Sequence, residues 1–77
     1  MEKFDMIYIV MGSEDGYLAT FTSKKKAIAY GKNYILNGFY EEEKSDVDID
    51  LSEYDHGIYL YGPDRVSVEI FKDEISR

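Results

Sequence analysis

A chain of 77 residues with 16 acidic and nine basic side chains, net charge −7, has the length of one domain with one small core, which argues against a large internal substrate cavity. With no cysteine, a disulfide framework, a thiolate nucleophile and a cysteine-ligated zinc site are excluded, and a cytoplasmic location fits best. The acidity repels phosphate and disfavours direct nucleic-acid binding, while the longest unbroken apolar run, Met6 to Met11, is too short for a membrane span and no signal peptide is expected.

Phe4 to Met11 is apolar at both parities, which predicts an interior strand covered on both sides or paired in a dimer. Gly12 to Gly16 reads as a turn in which Asp15-Gly16 supplies a positive backbone angle. It is not a phosphate loop, because it lacks the Gly-Lys-Ser/Thr ending and places Glu14 and Asp15 where phosphate would approach. Tyr17 to Thr22 alternates as a second strand, with Tyr17, Ala19 and Phe21 expected on one face.

Thr22 or Ser23 is placed to cap a helix over Lys24 to Asn37, where Ala27, Ile28, Gly31, Tyr34 and Ile35 form a single apolar stripe. Lys24, Lys25, Lys32 and Asn33 fall on the other side; the Lys24-Lys25-Lys26 run reads as a solvated face rather than an anion site. Gly31 costs such a helix about 1 kcal/mol relative to Ala, so its expected use is close approach to a strand or to Tyr8. Asn37-Gly38 is the expected stop.

Tyr40 to Ser45 has no apolar period and predicts an exposed connection, with disorder allowed around residues 40 to 46 and at the last few positions. Val47, Ile49 and Leu51 then alternate with Asp46, Asp48, Asp50 and Ser52, predicting a strand with one dry face and three aspartates along the wet one. Asp55 to Gly57 is a turn, Ile58 to Tyr61 a fourth strand, Gly62 to Arg65 another turn and Val66 to Phe71 a fifth strand. The fold class predicted is α+β: one domain over residues 1–77, a single antiparallel β-sheet with one amphipathic helix packed on one face, in the order ββαβββ.

Few residues carry recognisable chemistry. Asp46, Asp48 and Asp50 match positions 1, 3 and 5 of a calcium loop, but Leu51 stands where glycine is needed and Gly57 where the closing glutamate is needed. His56 is the only histidine; it cannot pair for zinc, and with Ser52 and Asp55 close by in sequence it builds no triad. An enzyme is therefore disfavoured, and no catalytic residue, metal or cofactor is expected.

Two surfaces remain for partner binding. Residues 38–77 hold twelve acidic side chains against four basic ones, and Glu41, Glu42, Glu43, Asp46, Asp48, Asp50, Glu53 and Asp55 are the expected contact set for a host protein with a basic surface. Alternating strand carboxylates lie about 6.5 to 7 Å apart, near the spacing of successive phosphates on one DNA strand, so a DNA-mimic reading follows from the strand assignment. Eight tyrosines are the other anomaly: Tyr59, Tyr61 and Phe71 share the parity that faces away from the helix, as does one face of Phe4 to Met11. Such an aromatic sheet face suits a partner or a homo-oligomer interface.

The strand Met6-Ile7-Tyr8-Ile9-Val10, the glycine-bearing turn, the strand ending Phe21-Thr22-Ser23 and the helix opening Lys-Lys-Ala-Ile-Ala-Tyr resemble the pattern of small bacteriophage accessory proteins, over residues 5–37. That resemblance implies an accessory role, and for similar small acidic phage proteins an inhibitory one against host enzymes, restriction systems or CRISPR effectors. It transfers no functional residue.

Overall fold

The computed structural model of the chain describes residues 4–63 and 66–76. It shows an α+β fold: one antiparallel sheet of five strands with one helix on one face. In chain order the elements are β1 (Phe4–Gly12), β2 (Gly16–Phe21), α1 (Lys24–Leu36), a 3-10 turn η1 (Glu41–Asp46), β3 (Asp50–Tyr54), β4 (Gly57–Tyr61) and β5 (Ser67–Ser76). The spatial order is β2-β1-β5-β4-β3. A hairpin, β1-β2, thus meets a meander, β3-β4-β5, through the long pairing of β1 with β5, which runs from Phe4 opposite Ser76 to Gly12 opposite Val68. β1 is interior within the sheet, between β2 and β5, but among the described residues α1 covers one of its faces only, which corrects the cover expected on both sides.

Gly16 has φ +74°, the left-handed turn angle that Asp15-Gly16 predicts. In β2 the register slips opposite Val10 and Met11, so Tyr17 pairs with Met11 while Ala19 pairs with Val10. A bulge at Leu18 therefore corrects the simple alternation: Tyr17 lies on the opposite face from Ala19 and Phe21. Ser23 Oγ accepts the Lys26 amide at 3.3 Å and caps α1. The helix stops at Leu36 as expected, although Asn37 stays right-handed and its amide donates to the Asn33 carbonyl.

Ala27, Gly31 and Ile35 of α1 are buried against Val10, Ile58, Leu60, Val68 and Ile70, and Ile28 and Tyr34 pack beside them. A Cβ at Gly31 would sit 2.7 Å from Leu60 Cδ1 and 3.1 Å from Val68 Cγ1. The glycine thus lets the helix approach the sheet closely, over β4 and β5 rather than over Tyr8.

The second half departs from expectation at three places. Residues 41–46, expected as an exposed connection, are mostly exposed but coil into the 3-10 turn η1, closed by the Glu43 amide donating to the Tyr40 carbonyl. The third strand starts at Asp50, not at Val47, because η1 and the extended residues after it first carry the chain to the sheet edge. The fifth strand continues to Ser76 instead of ending at Phe71, because β1 offers a partner along its whole length. Of the turn at residues 62–65, Gly62 and Pro63 are described, with the Gly62 amide donating to the Val66 carbonyl at 2.8 Å; Asp64 and Arg65 lie outside the described residues. No helix among the described residues is long and apolar enough to cross a membrane.

Candidate partner-binding surface

Strand alternation and register divide the sheet into two faces. Tyr8, Val10, Val68, Ile70, Lys72, Ile58 and Leu60 face the helix. The opposite face carries Ile7, Ile9 and Met11 on β1, Glu69, Phe71 and Asp73 on β5, and Tyr59 and Tyr61 on β4, with Asp50, Ser52 and Tyr54 beside them on β3. Nothing in the described chain covers it. Tyr59, Tyr61 and Phe71 are thus on the side that their parity predicts.

Tyrosines organise one flank of this face. Tyr59 and Tyr61, two residues apart on β4, stack with ring centroids 6.3 Å apart and 14° between planes. Tyr54 meets Tyr59 edge-on at 5.4 Å and stacks on His56 at 5.7 Å. His56 Nε2 and the Tyr59 hydroxyl share a hydrogen bond of 2.9 Å, which anchors the turn to the strip. Three of these rings stand on β3 and β4 and the fourth, His56, on the turn between them, together a large amphipathic contact area with few free rotors. His56 is thereby occupied within an aromatic cluster, and the described residues contain no group of three or more metal-ligating side chains.

The acidic set divides. Asp46 ends η1, Asp48 lies in the extended link and Asp50 opens β3, so the three do not line one strand face. This corrects the start of the third strand, of which only Asp50 is part. Their common feature is instead an open cleft of about 520 Å³, lined by Glu43, Asp46, Asp48 and Asp50 together with Phe39, Val47, Tyr61, Gly62 and Pro63. Tyr61 and Asp50 belong both to this cleft and to the uncovered face, so the two surfaces are continuous.

Glu53 lies elsewhere. Paired with Ile58, it is on the helix side, where its carboxylate meets Lys24 Nζ at 2.7 Å and Lys72 Nζ at 3.3 Å. The hydrogen bond from Lys24, with that from Lys72, holds its carboxyl below the usual range. It ties α1, β3 and β5 together, and is better described as a structural clasp than as a contact residue. Glu41 is partnered by Lys44 at 2.9 Å, and Glu43 accepts the Tyr40 amide at 3.3 Å. Glu42 is exposed on η1 and Asp55 in the β3-β4 turn.

Glu69, Tyr54 and Tyr17 were not singled out from the sequence. Glu69 is a solitary acid in an alternating strand, indistinguishable by pattern from any solvated residue, and becomes notable only because Met11 and Tyr59 flank it across the sheet. Tyr54 shares the parity of Asp50 and Ser52, which was the available signal once β3 was correctly bounded. Tyr17 was hidden by the bulge. Comparison with protein-family models, curated proteins and solved structures finds no match to this chain.

Proposed function

We propose that this chain is a small non-enzymatic interaction protein, of phage or mobile-element type, that binds a host protein through a basic surface on that protein and blocks a nucleic-acid-binding or defence enzyme. One observation carries the reading: charge is divided across the fold. Lys24, Lys25, Lys26 and Lys32 on α1 and Lys72 on β5 sit on the helix side with Glu53 among them, whereas Asp50, Glu69 and Asp73 lie on the uncovered face beside the cleft of Glu43, Asp46 and Asp48; Lys44, on η1, is paired with Glu41. Such a division orients a cationic partner and speeds its encounter. Inhibition by this route needs a cationic channel or cleft on the partner; it does not need duplex-like spacing of the acids.

The test is capture from host lysate by the wild type and by a variant with Asp46→Asn, Asp48→Asn and Asp50→Asn, at graded salt. A host protein retained at low salt, lost as ionic strength rises toward about 0.5 M and weakened in the variant is the expected result. Undiminished capture by the variant at low salt overturns the role of the acidic surface. A second reading, a homo-oligomeric domain joined through its aromatic face, rests on the same uncovered Tyr59, Tyr61 and Phe71. It requires a dimer or larger species in size-exclusion chromatography at micromolar concentration.

A further inference from the structure

An antiparallel sheet with a helix on one side ordinarily turns polar side chains to water on the other. This one does not. Down the three central strands the uncovered face presents Ile7, Ile9 and Met11, then Phe71, then Tyr59 and Tyr61. The interruptions are Ser67, Glu69 and Asp73 on β5, with Asp50 and Ser52 at the margin; every charged one is acidic, and no lysine or arginine lies on this face among the described residues.

We infer that this face is the docking site for an amphipathic helix of a partner protein, one whose apolar stripe is flanked by lysine or arginine. The inference rests on the cationic-partner reading above and adds to it the place and the secondary structure of the contact. The fold supplies a dimensional argument. A helix about 10 to 12 Å across spans between two and three strands about 4.8 Å apart, and α1 already covers β1, β5 and β2 in this way on the other side. A second helix over β1, β5 and β4 completes a three-layer arrangement.

Charge selects the occupant. Glu69 lies between Met11 and Tyr59 in the middle of the apolar strip, so any body seated there withdraws its carboxylate from water. A cation on the partner compensates that loss, whereas a neutral helix leaves the carboxylate unpaired. A second copy of this chain brings Glu69 and Asp73 toward another acidic face with no described base to answer them, and a nucleic acid brings phosphates.

The full chain is titrated with a synthetic peptide of about 18 residues, five helical turns, made of Leu and Lys in amphipathic order, and with a scrambled peptide of the same composition. Amide chemical shifts and calorimetry are the readouts. The expected result is perturbation of Ile9, Met11, Tyr59, Glu69 and Phe71, with the ordered peptide bound about ten-fold tighter than the scrambled one. Glu69→Lys weakens it about ten-fold, while Glu42→Lys, the same charge change on η1, has less than about a two-fold effect. Phe71→Ser, checked for retained circular dichroism, weakens it without altering charge.

Equal binding of both peptides, equal effects of Glu69→Lys and Glu42→Lys, or shifts confined to residues 41–50 overturn the docking site while leaving a cationic partner in place. Failure of both peptides to bind even at low salt overturns the docking site, and loss of the salt-dependent capture described above overturns the cationic partner as well. A peptide-free dimer whose interface maps to Phe71 and Tyr59 replaces the helix with a second copy.

Discussion

The two faces of one sheet are made from the same five strands, yet they reach different ends. On the covered side Val10, Ile58, Leu60, Val68 and Ile70 are each no more than 1% exposed. On the other side Phe71 retains 36% of its exposure, Tyr61 49% and Tyr17 60%. The covered side is finished by α1, with aliphatic side chains that interlock with the helix and hold no polar atom. The uncovered side mixes Ile7, Ile9, Met11 and Phe71 with tyrosines, whose polar tips tolerate water while their rings offer apolar area.

That contrast is broken most severely at Ile35, which is 1% exposed at the helix-sheet contact. Ile35→Asp forces an unpaired carboxylate into the core, a cost of several kcal/mol that rivals the whole stability expected of a chain this size, about 4 to 12 kcal/mol. It abolishes the cooperative thermal transition, whereas Tyr59→Ser with Tyr61→Ser leaves the transition in place and weakens partner capture. A double mutant that unfolds would make the two faces equivalent in energetic terms.

Gly31→Ala probes how closely the covered face is fitted. The gain in helix propensity, about 1 kcal/mol, is opposed by overpacking against Leu60 and Val68, which costs about 1 to 3 kcal/mol. Net destabilisation of about 1 kcal/mol in urea unfolding is expected; stabilisation would show that the helix can lift from the sheet without penalty.

Tyr34 gives a smaller, pH-dependent effect. Its hydroxyl donates to Asp15 at 2.6 Å, linking the helix to the β1-β2 turn, and that hydrogen bond, with burial and the nearby acids Asp15 and Glu14, pushes its pKa up to about 12. The folded state favours the protonated phenol, so this contribution is complete below the unfolded tyrosine value near 10 and is lost as pH rises through about 12. Absorbance titration at about 295 nm should show Tyr34 ionising late, and Asp15→Asn should bring its ionisation to lower pH. An unchanged titration would mean that Asp15 does not hold the proton. At the bottom of the scale, Lys25→Asp on the exposed side of α1 should shift the unfolding free energy by less than about 0.5 kcal/mol, and a larger loss would contradict the assigned helix face.

Much of this architecture was legible in the chain. The change from two-residue to helical periodicity at Lys24, the cap at Ser23, the stop at Asn37 and the parity of Tyr59, Tyr61 and Phe71 all depend on neighbours within one or two turns. Such local preferences are written residue by residue. The acidic strand was misread for the same reason: Asp46 to Ser52 alternates perfectly, and alternation alone is satisfied by a strand. Only the tertiary path, which spends residues 41–49 reaching the sheet edge, delays β3 until Asp50.

The remaining features were decided by contacts between residues far apart in sequence. The insertion of β5 between β4 and β1 extends it to Ser76 and sets Glu69 between Met11 and Tyr59. The clasp of Glu53 by Lys24 and Lys72 joins residues 29 and 19 positions apart. A periodic pattern states which side chains share a face of their own element; it carries no information about which element lies next to it. For this protein the sequence determined that one sheet face would be dry and the other aromatic. Strand order, a property of the packed chain, decided which acids stand among those aromatics.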